Sequence, residues 1–498
     1  MSTPPPPADN DPVVPNPTYM GYIRGIFTQD DIDHMAPKGV DLSTYAGVKK
    51  NAINVYIQTL QPGGPMPPAP YPKWSANRSL NFKAWIVDKY PLGTAEPHFA
   101  AFDAVAAPTA GARLRKDVNS LSADEIKTLK AAFQGIIALD ASQPNNPNGY
   151  YQVAGIHWFP TDLYCQHHVQ QYNPWHRLYV RTFEDALRSI PGCENVTLPY
   201  WDIATYQLPQ LFSEPPFNQY TAPQGVGNGY PVPFATSRYD DATIVQNLRG
   251  NDVAGSIRDA LQQSRFGSYE TGGFQKFIIQ AHDDGHVSTG RTMRDQGVAS
   301  FDPIFWFFHC NWDRLFLSWQ TLVNGTTLNG FKSTLDGDTS WLDFPQLQPW
   351  TQSSADAVPA EPDVRYAQLA TEVQALQHRV GSIDAFRSFS IAPSSRVSVR
   401  VKNINRLNIP GTFVVKLLAD GEEVARHAFF QPSTPEKCPT CKEHGLVPID
   451  FHVDLEKVQG RKMSVAIEVP DQEEVGAAFP LSQAGNPTIN ARLLLEEA

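Results

Sequence analysis

The chain has 498 residues, 41% of them hydrophobic and 11% aromatic, and a formal net charge of −11. That length exceeds the usual single domain, so two domains are expected, with enough apolar material for a substantial core. The acidic excess excludes nucleic acid and anionic membrane as main partners, since both require a basic face.

Residues 1–17 are proline-rich and polar and read as a disordered tail. They lack the basic stretch followed by an apolar run that marks a cleavable signal. No apolar run is long enough to span a bilayer, so no membrane role is expected. Cytoplasmic residence is the default, with export alongside a helper protein left open. Residues 18–110 read as loops with short helices, including a proline-dense stretch at 61–73. Within 113–138, Ser122 and Glu125 form a capping box ahead of the apolar stripe Ile126, Leu129, Phe133, Ile136 and Ile137. Two further helices are predicted to start at Asn173-Pro174 and Asp302-Pro303 and to run to about Ile190 and Leu322.

A proline- and serine-rich connector at 345–362 and a predicted helix at 363–380 mark a domain boundary near 345–385. Beyond it the hydrophobic period changes. Val397, Val399 and Val401 alternate with polar residues, as do Ile449, Phe451 and Val453, and the runs 413–418 and 465–469 are apolar and partly β-branched. The expected fold is therefore mainly α: a helical bundle at 18–380, then a small antiparallel β-sandwich at 381–498. Five cysteines, at Cys165, Cys193, Cys310, Cys438 and Cys441, are too scattered for a disulfide framework.

Six of the thirteen histidines form two sets, His157, His167, His176 and His282, His286, His309. On a helix, His282 and His286 share a face one turn apart and can bind one ion together. His309 would complete that set from the next long helix. Asp313 follows His309 by one turn and is expected to orient an imidazole. For any single histidine, a satisfied core or surface group is the simpler reading; two complete triads point to a dinuclear metal centre. Imidazole sets suit zinc, copper, iron or nickel. A hydrolytic zinc pair would normally add a bridging carboxylate, which neither set supplies, because Asp283 and Asp284 point off the His282/His286 face of a helix. The donor set leans to copper.

Cys165-Gln166-His167, Pro174-Trp175-His176-Arg177 and Pro199-Tyr200-Trp201-Asp202 resemble the CuA region of the tyrosinase and catechol oxidase family. The CuB region of that family is matched by His282-Asp283-Asp284-Gly285-His286, Asp302-Pro303-Ile304-Phe305-Trp306 and His309-Cys310-Asn311-Trp312-Asp313-Arg314. The resemblance covers roughly 110–325. It implies two copper ions, CuA on His157, His167 and His176 and CuB on His282, His286 and His309, with dioxygen as co-substrate. Small phenols would be the partners: o-diphenols oxidised to o-quinones, and monophenols hydroxylated. A homo-oligomer is left open. The family's spacing passes over His168, leaving it as a packed or exposed neighbour. Cys165 resembles the Cys-x-His thioether of many members, which would fix the ring of His167; the alternative is a small apolar filler.

Three positions depart from the pattern. Phe308 stands where a histidine often precedes the last CuB ligand, Asp283 stands where hydroxylating members often have asparagine, and the first acid upstream of it is Glu270. Asp283 is open to two readings, a general base for the phenol proton or a solvated side chain. Met293 and Gln296 are expected to shape the pocket, and Gln296 to orient substrate. The C-terminal region resembles the lid of latent tyrosinases, which inserts an aromatic residue over the coppers. Phe429 or Phe430 would be that plug, and only one of them, because adjacent strand residues face opposite ways; the alternative is that both are sandwich core. Cys438 and Cys441 resemble a copper-loading pair, with a local disulfide as the alternative. A catechol oxidase without monophenolase activity is the alternative that the departures at Asp283 and upstream of it raise; a hemocyanin-type dioxygen carrier and a dinuclear zinc hydrolase are the rival readings of the whole.

Overall fold

The computed structural model describes residues 14–19, 22–27, 29–42, 44–59, 73–92, 112–158, 164–227, 230–337, 339–370, 396–470 and 478–493. By packing the chain divides into two units, 1–107 and 108–498. The tail expected at 1–17 and the proline-dense 61–73 lie mostly outside the described residues. The first unit holds α1 (Gln29–Met35), α2 (Tyr45–Thr59) and α3 (Ala76–Val87). Its core is aromatic, with Phe27, Trp74, Phe82 and Trp85 buried together. Ser75 starts α3 by accepting from the Arg78 amide at 2.9 Å.

In the second unit the chain runs through β1 (Arg113–Arg115), α4 (Ala123–Ser142), α5 (Tyr150–Gly155) and α6 (Tyr172–Arg188). Two short strands follow, β2 (Thr221–Ala222) and β3 (Phe234–Ala235), then α7 (Asp241–Gly250), α8 (Val253–Leu261), α9 (Phe274–Thr289), α10 (Ile304–Leu322) and β4 (Val364–Tyr366). The capping box predicted at Ser122 is present, with Glu125 returning the bond, and Leu129, Phe133 and Ile136 are buried. α6 begins two residues before Pro174, so the proline sits in the first turn, where its missing N–H is not needed. Asp302 does start α10, accepting from the Ile304 amide at 3.1 Å. The helix expected at 363–380 does not begin as one: residues 364–366 pair in parallel with β1 as β4, and 371–380 lie outside the described residues.

α9 and α10 are buried along nearly their whole length despite many polar side chains, which marks them as the centre of the unit. Gly285 lets them approach: a Cβ there would lie 2.7 Å from the Phe308 ring. An ionic network ties α6 to α10. Asp313 accepts from Arg177 Nε at 2.6 Å and Arg115 at 3.0 Å, and Glu184 accepts from Arg113 and Arg115 at 3.0 Å. Burial alone would raise Asp313, but Arg177 and Arg115 outweigh it and hold the carboxyl below its ordinary value.

The C-terminal region forms two three-stranded antiparallel sheets. One has β5 (Arg396–Asn405) between β10 (Thr488–Leu493) and β8 (Leu446–Asp454); the other has β6 (Phe413–Ala419) between β7 (Glu422–Phe429) and β9 (Met463–Glu468). Their inner faces bury Val399, Val401, Ile449 and Phe451 from one sheet and Phe413, Val415, Leu417 and Ile467 from the other. This is the sandwich that the alternation predicted. It packs against the helical region within the same unit, with β7 running along α9: Asp284 on α9 accepts from the Ala428 amide and the His427 ring, both at 2.6 Å. Among the described residues, no helix is long and apolar enough to cross a membrane.

Candidate metal centre

Helical spacing places His282 and His286 on one face of α9, ring centroids 4.4 Å apart, and His309 on α10 lies 5.3 and 5.4 Å from them. The second set is built differently. His176 stands in the first turns of α6, His157 follows the end of α5, and His167 lies in the loop before α6. All six are buried, and within each set the donor atoms lie within 4.8 Å of one another. The sets adjoin: His176 stacks on His309 at 4.9 Å, and His167 is 5.3 Å from His282.

Four of the rings are oriented by main-chain carbonyls. Nδ1 of His157, His176, His286 and His309 donates to the carbonyls of Gln296, Tyr172, Met293 and Phe305 at 3.0, 2.8, 2.5 and 2.9 Å. His282 Nδ1 donates to Asp283 Oδ1 at 2.9 Å. The opposite nitrogens are thereby left as lone pairs facing inward. Among the described residues, Nε2 of His157 and of His286 is buried with no partner, and the Nε2 atoms of His282 and His309 face each other at 3.3 Å. Buried polar atoms are rarely left so, and bound metal is what would satisfy them. Burial lowers His157 to about 3, and burial with neighbouring imidazoles pushes the other five well below their ordinary value, so all six stand neutral and ready to ligate. Among the described residues no carboxylate joins either set, and the donors fit an imidazole-bound pair of copper ions.

Cys165 belongs to the first set. Its thiol, raised by burial, is unlinked here and lies 3.0 Å from Nδ1 and 3.6 Å from Nε2 of His167, against the ring edge between the two nitrogens. His168 is packed rather than exposed, in the left-handed region at φ 60. Its Nε2 donates to Asp283 Oδ2 at 2.8 Å, and its ring stacks on Phe429 at 4.0 Å.

Asp283 is not solvated. It is fully buried, and a third donor, the Phe430 amide, reaches its Oδ2 at 3.0 Å. Burial raises its pKa well above the ordinary value, against the lowering effect of that amide. As expected, neither Asp283 nor Asp284 joins the metal donors; both point toward β7 and the residue after it.

Two expectations are corrected. Asp313 orients no imidazole: its oxygens are taken by Arg115, Arg177 and the Tyr366 hydroxyl, and His309 is held by Phe305 instead. Gln296 acts on the histidines themselves, its carbonyl on His157 and its side-chain amide 2.9 Å from His167 Nδ1. Met293 likewise contributes its carbonyl to His286. The carbonyls of Tyr172 and Phe305, and the Phe305 ring stacked on His309 at 3.8 Å, had no signal in the sequence.

Of the two candidate plugs, Phe430 faces the centre. Its ring stacks on His286 at 4.1 Å with planes 13° apart, and lies 5.3 Å from His167 and 5.8 Å from His282. Phe429 points the other way, between His168 and Phe413. Cys438 and Cys441 are joined in a disulfide, so in this form they offer no thiolate pair for copper loading. Arg406 joins this region to the residue before Phe430, donating to Cys441 Sγ at 3.2 Å and lying over the Phe429 ring at 4.6 Å.

A family model described as the common central domain of tyrosinase matches residues 147–253 and 232–322. "Hemocyanin, units G and H" of Sepia officinalis is 31% identical over 225 residues, which are 42% of this chain and 38% of that protein. "Hemocyanin G-type, units Oda to Odg" of Enteroctopus dofleini is 29% identical over 240 residues, 44% of this chain and 8% of that protein. The chain thus spans well under half the length of these relatives. In fold it is similar to tyrosinase from Burkholderia thailandensis, with TM-score 0.58, 19% identity, 76% of this chain and 100% of that one. A functional unit of octopus hemocyanin has TM-score 0.57 and 21% identity, covering 76% and 99%. An oxygen-bound pro-tyrosinase mutant from Aspergillus oryzae has TM-score 0.57 and 15% identity, covering 77% and 93%. Residues 147–322 thus carry a tyrosinase central domain, and with its two buried histidine triads the chain is similar to the type 3 copper tyrosinases and hemocyanins.

Proposed function

We propose that the protein is a latent phenol oxidase. His157, His167 and His176 hold one copper and His282, His286 and His309 the other, and the C-terminal sandwich at 381–498 is a lid. The copper pair, when bound, supplies dioxygen binding and electron transfer. Two o-diphenols and one dioxygen give two o-quinones and two waters, and one monophenol with one dioxygen gives one o-quinone and one water. The chain's own part is to seat the ring, hold the imidazoles and exclude water.

One observation carries this reading: an aromatic ring, that of Phe430, already lies flat on His286 within reach of both histidine sets. A pocket that accepts this ring when the lid is down accepts a substrate ring when the lid is up. Asp283 accepts from the Phe430 amide, so once Phe430 withdraws its carboxylate borders the vacated seat, and we assign it rather than Gln296 to orient substrate.

The second reading is an oxygen carrier, favoured by the hemocyanin relatives and by the buried centre. Copper-loaded protein with the lid released should oxidise catechol continuously. Reversible oxygenation without quinone formation would make it a carrier, and absence of both would leave neither copper reading standing.

Cys165 Sγ rests against the His167 ring, and we infer that a thioether forms between them. The mature copper-loaded protein should then be lighter by two hydrogens, with the deficit mapping to a cross-linked Cys165–His167 peptide. Unmodified residues in active protein would rule the bond out.

A further inference from the structure

We propose that Asp283 selects phenols bearing an ethylamine side chain over those bearing a carboxylate. This rests on the reading that Phe430 occupies the substrate seat. The ring, Cβ, Cα and N of Phe430 are, atom for atom, the skeleton of 2-phenylethylamine. In the closed form the ring lies on His286 and the N–H donates to Asp283 Oδ2. A substrate whose ring replaces that of Phe430 therefore brings an amine two carbons away to the same carboxylate oxygen.

The surroundings favour a cation there. Beside the plug the lid meets two adjacent carboxylates with donors: the Phe430 amide on Asp283, and the Ala428 amide and His427 ring on Asp284. Raising the lid removes these donors and leaves two acids beside the seat. Asp283 stays in position, because His282 Nδ1 and His168 Nε2 donate to its two oxygens from the helical side. An ammonium would make a charge-assisted bond where the lid makes a neutral one. A carboxylate at the same place would set acceptor oxygens against the acceptor oxygens of Asp283 and Asp284, in place of the donors the lid supplies. Lys276, also on α9, lies over the Tyr269 ring at 4.1 Å and donates to the Pro448 carbonyl at 2.6 Å, so the cation nearest along that helix is turned to the sandwich.

The test uses full-length copper-loaded enzyme and a one-pot competition between 2-(3,4-dihydroxyphenyl)ethylamine and 3-(3,4-dihydroxyphenyl)propionate. The ratio of their kcat/KM values is independent of the fraction of enzyme with its lid open. It should favour the amine by about ten-fold or more and fall toward one in Asp283→Asn. A ratio near one in the wild type, or a preference unchanged in Asp283→Asn, overturns the proposal.

A second arm avoids turnover. Asp259 accepts from Arg396 at 3.0 Å and His452 at 2.9 Å in the sandwich, so Asp259→Ala loosens the lid away from the pocket. Copper-free full-length Asp259→Ala should bind 2-phenylethylamine about ten-fold more tightly than 3-phenylpropionate by calorimetry. Equal binding, or none, counts against the proposal. Unsubstituted catechol separates the two levels: if copper-loaded protein does not oxidise it, the oxidase reading fails, whereas normal catechol turnover without amine preference sinks only the role of Asp283.

Discussion

Replacing Phe430 by alanine in the full-length, copper-loaded protein should raise catechol turnover about a hundred-fold, up to the rate of fully open enzyme. The side chain is completely buried and stacked on His286. Truncating a buried phenylalanine costs about 3–5 kcal/mol where the site cannot collapse. Here the lost energy is that of lid docking, and each 1.4 kcal/mol is about ten-fold in an equilibrium. On the lid reading, the gain appears as a larger open fraction and a vacated seat together. The measurement is kcat/KM for catechol on untreated protein, beside a fluorescence or hydrogen-exchange check that the sandwich is still folded. Wild-type turnover from a folded Phe430→Ala variant would falsify the plug, and with it the argument for latency.

The choice between Phe429 and Phe430 also marks where sequence reading stopped. Strand alternation requires the two rings to face opposite ways, but which one faces the histidines depends on how β7 and the residue after it lie along α9, through Asp284 and Asp283. The two histidine sets were legible because i, i+4 spacing on α9 and the motifs around His176 and His309 are local properties of the chain. What holds them was not legible. Four of the six rings are oriented by main-chain carbonyls, and every residue type carries one, so Gln296, Tyr172, Met293 and Phe305 left no chemical signature. Asp283 was visible as a departure from a pattern, yet its three donors come from the CuA loop, α9 and the sandwich, segments far apart in sequence. The sandwich itself was readable from period-2 alternation, whereas β4 was not, because three residues are too short for a period to register.

Asp313 was misplaced for a related reason, and its actual position yields the second large effect. One turn after His309, it was expected beside an imidazole; instead Arg115, Arg177 and Tyr366 surround it. Asp313→Ala leaves two buried guanidinium groups short of their common counter-ion. Removing one partner of a buried ion pair costs about 3–5 kcal/mol, which in a unit of this size corresponds to a fall of about 4–6 °C in Tm. Asp313→Asn keeps an acceptor and should lose roughly half as much.

The effect has a defined pH direction. The folded-state pKa of Asp313 lies below the ordinary carboxyl value, because Arg177 and Arg115 outweigh burial. Its stabilisation is therefore complete above that ordinary value of about 4 and is lost as pH falls through the folded value. The Tm difference between wild type and Asp313→Ala should be constant near neutrality and shrink toward zero in strong acid. Asp313 joins α6, which carries His176, to α10, which carries His309, and those rings stack at the junction of the two triads. The loosened variant should consequently release copper faster to a chelator at a temperature where it is still folded. A variant with lowered Tm but wild-type copper release would confine the network to stability and remove it from the account of the metal centre.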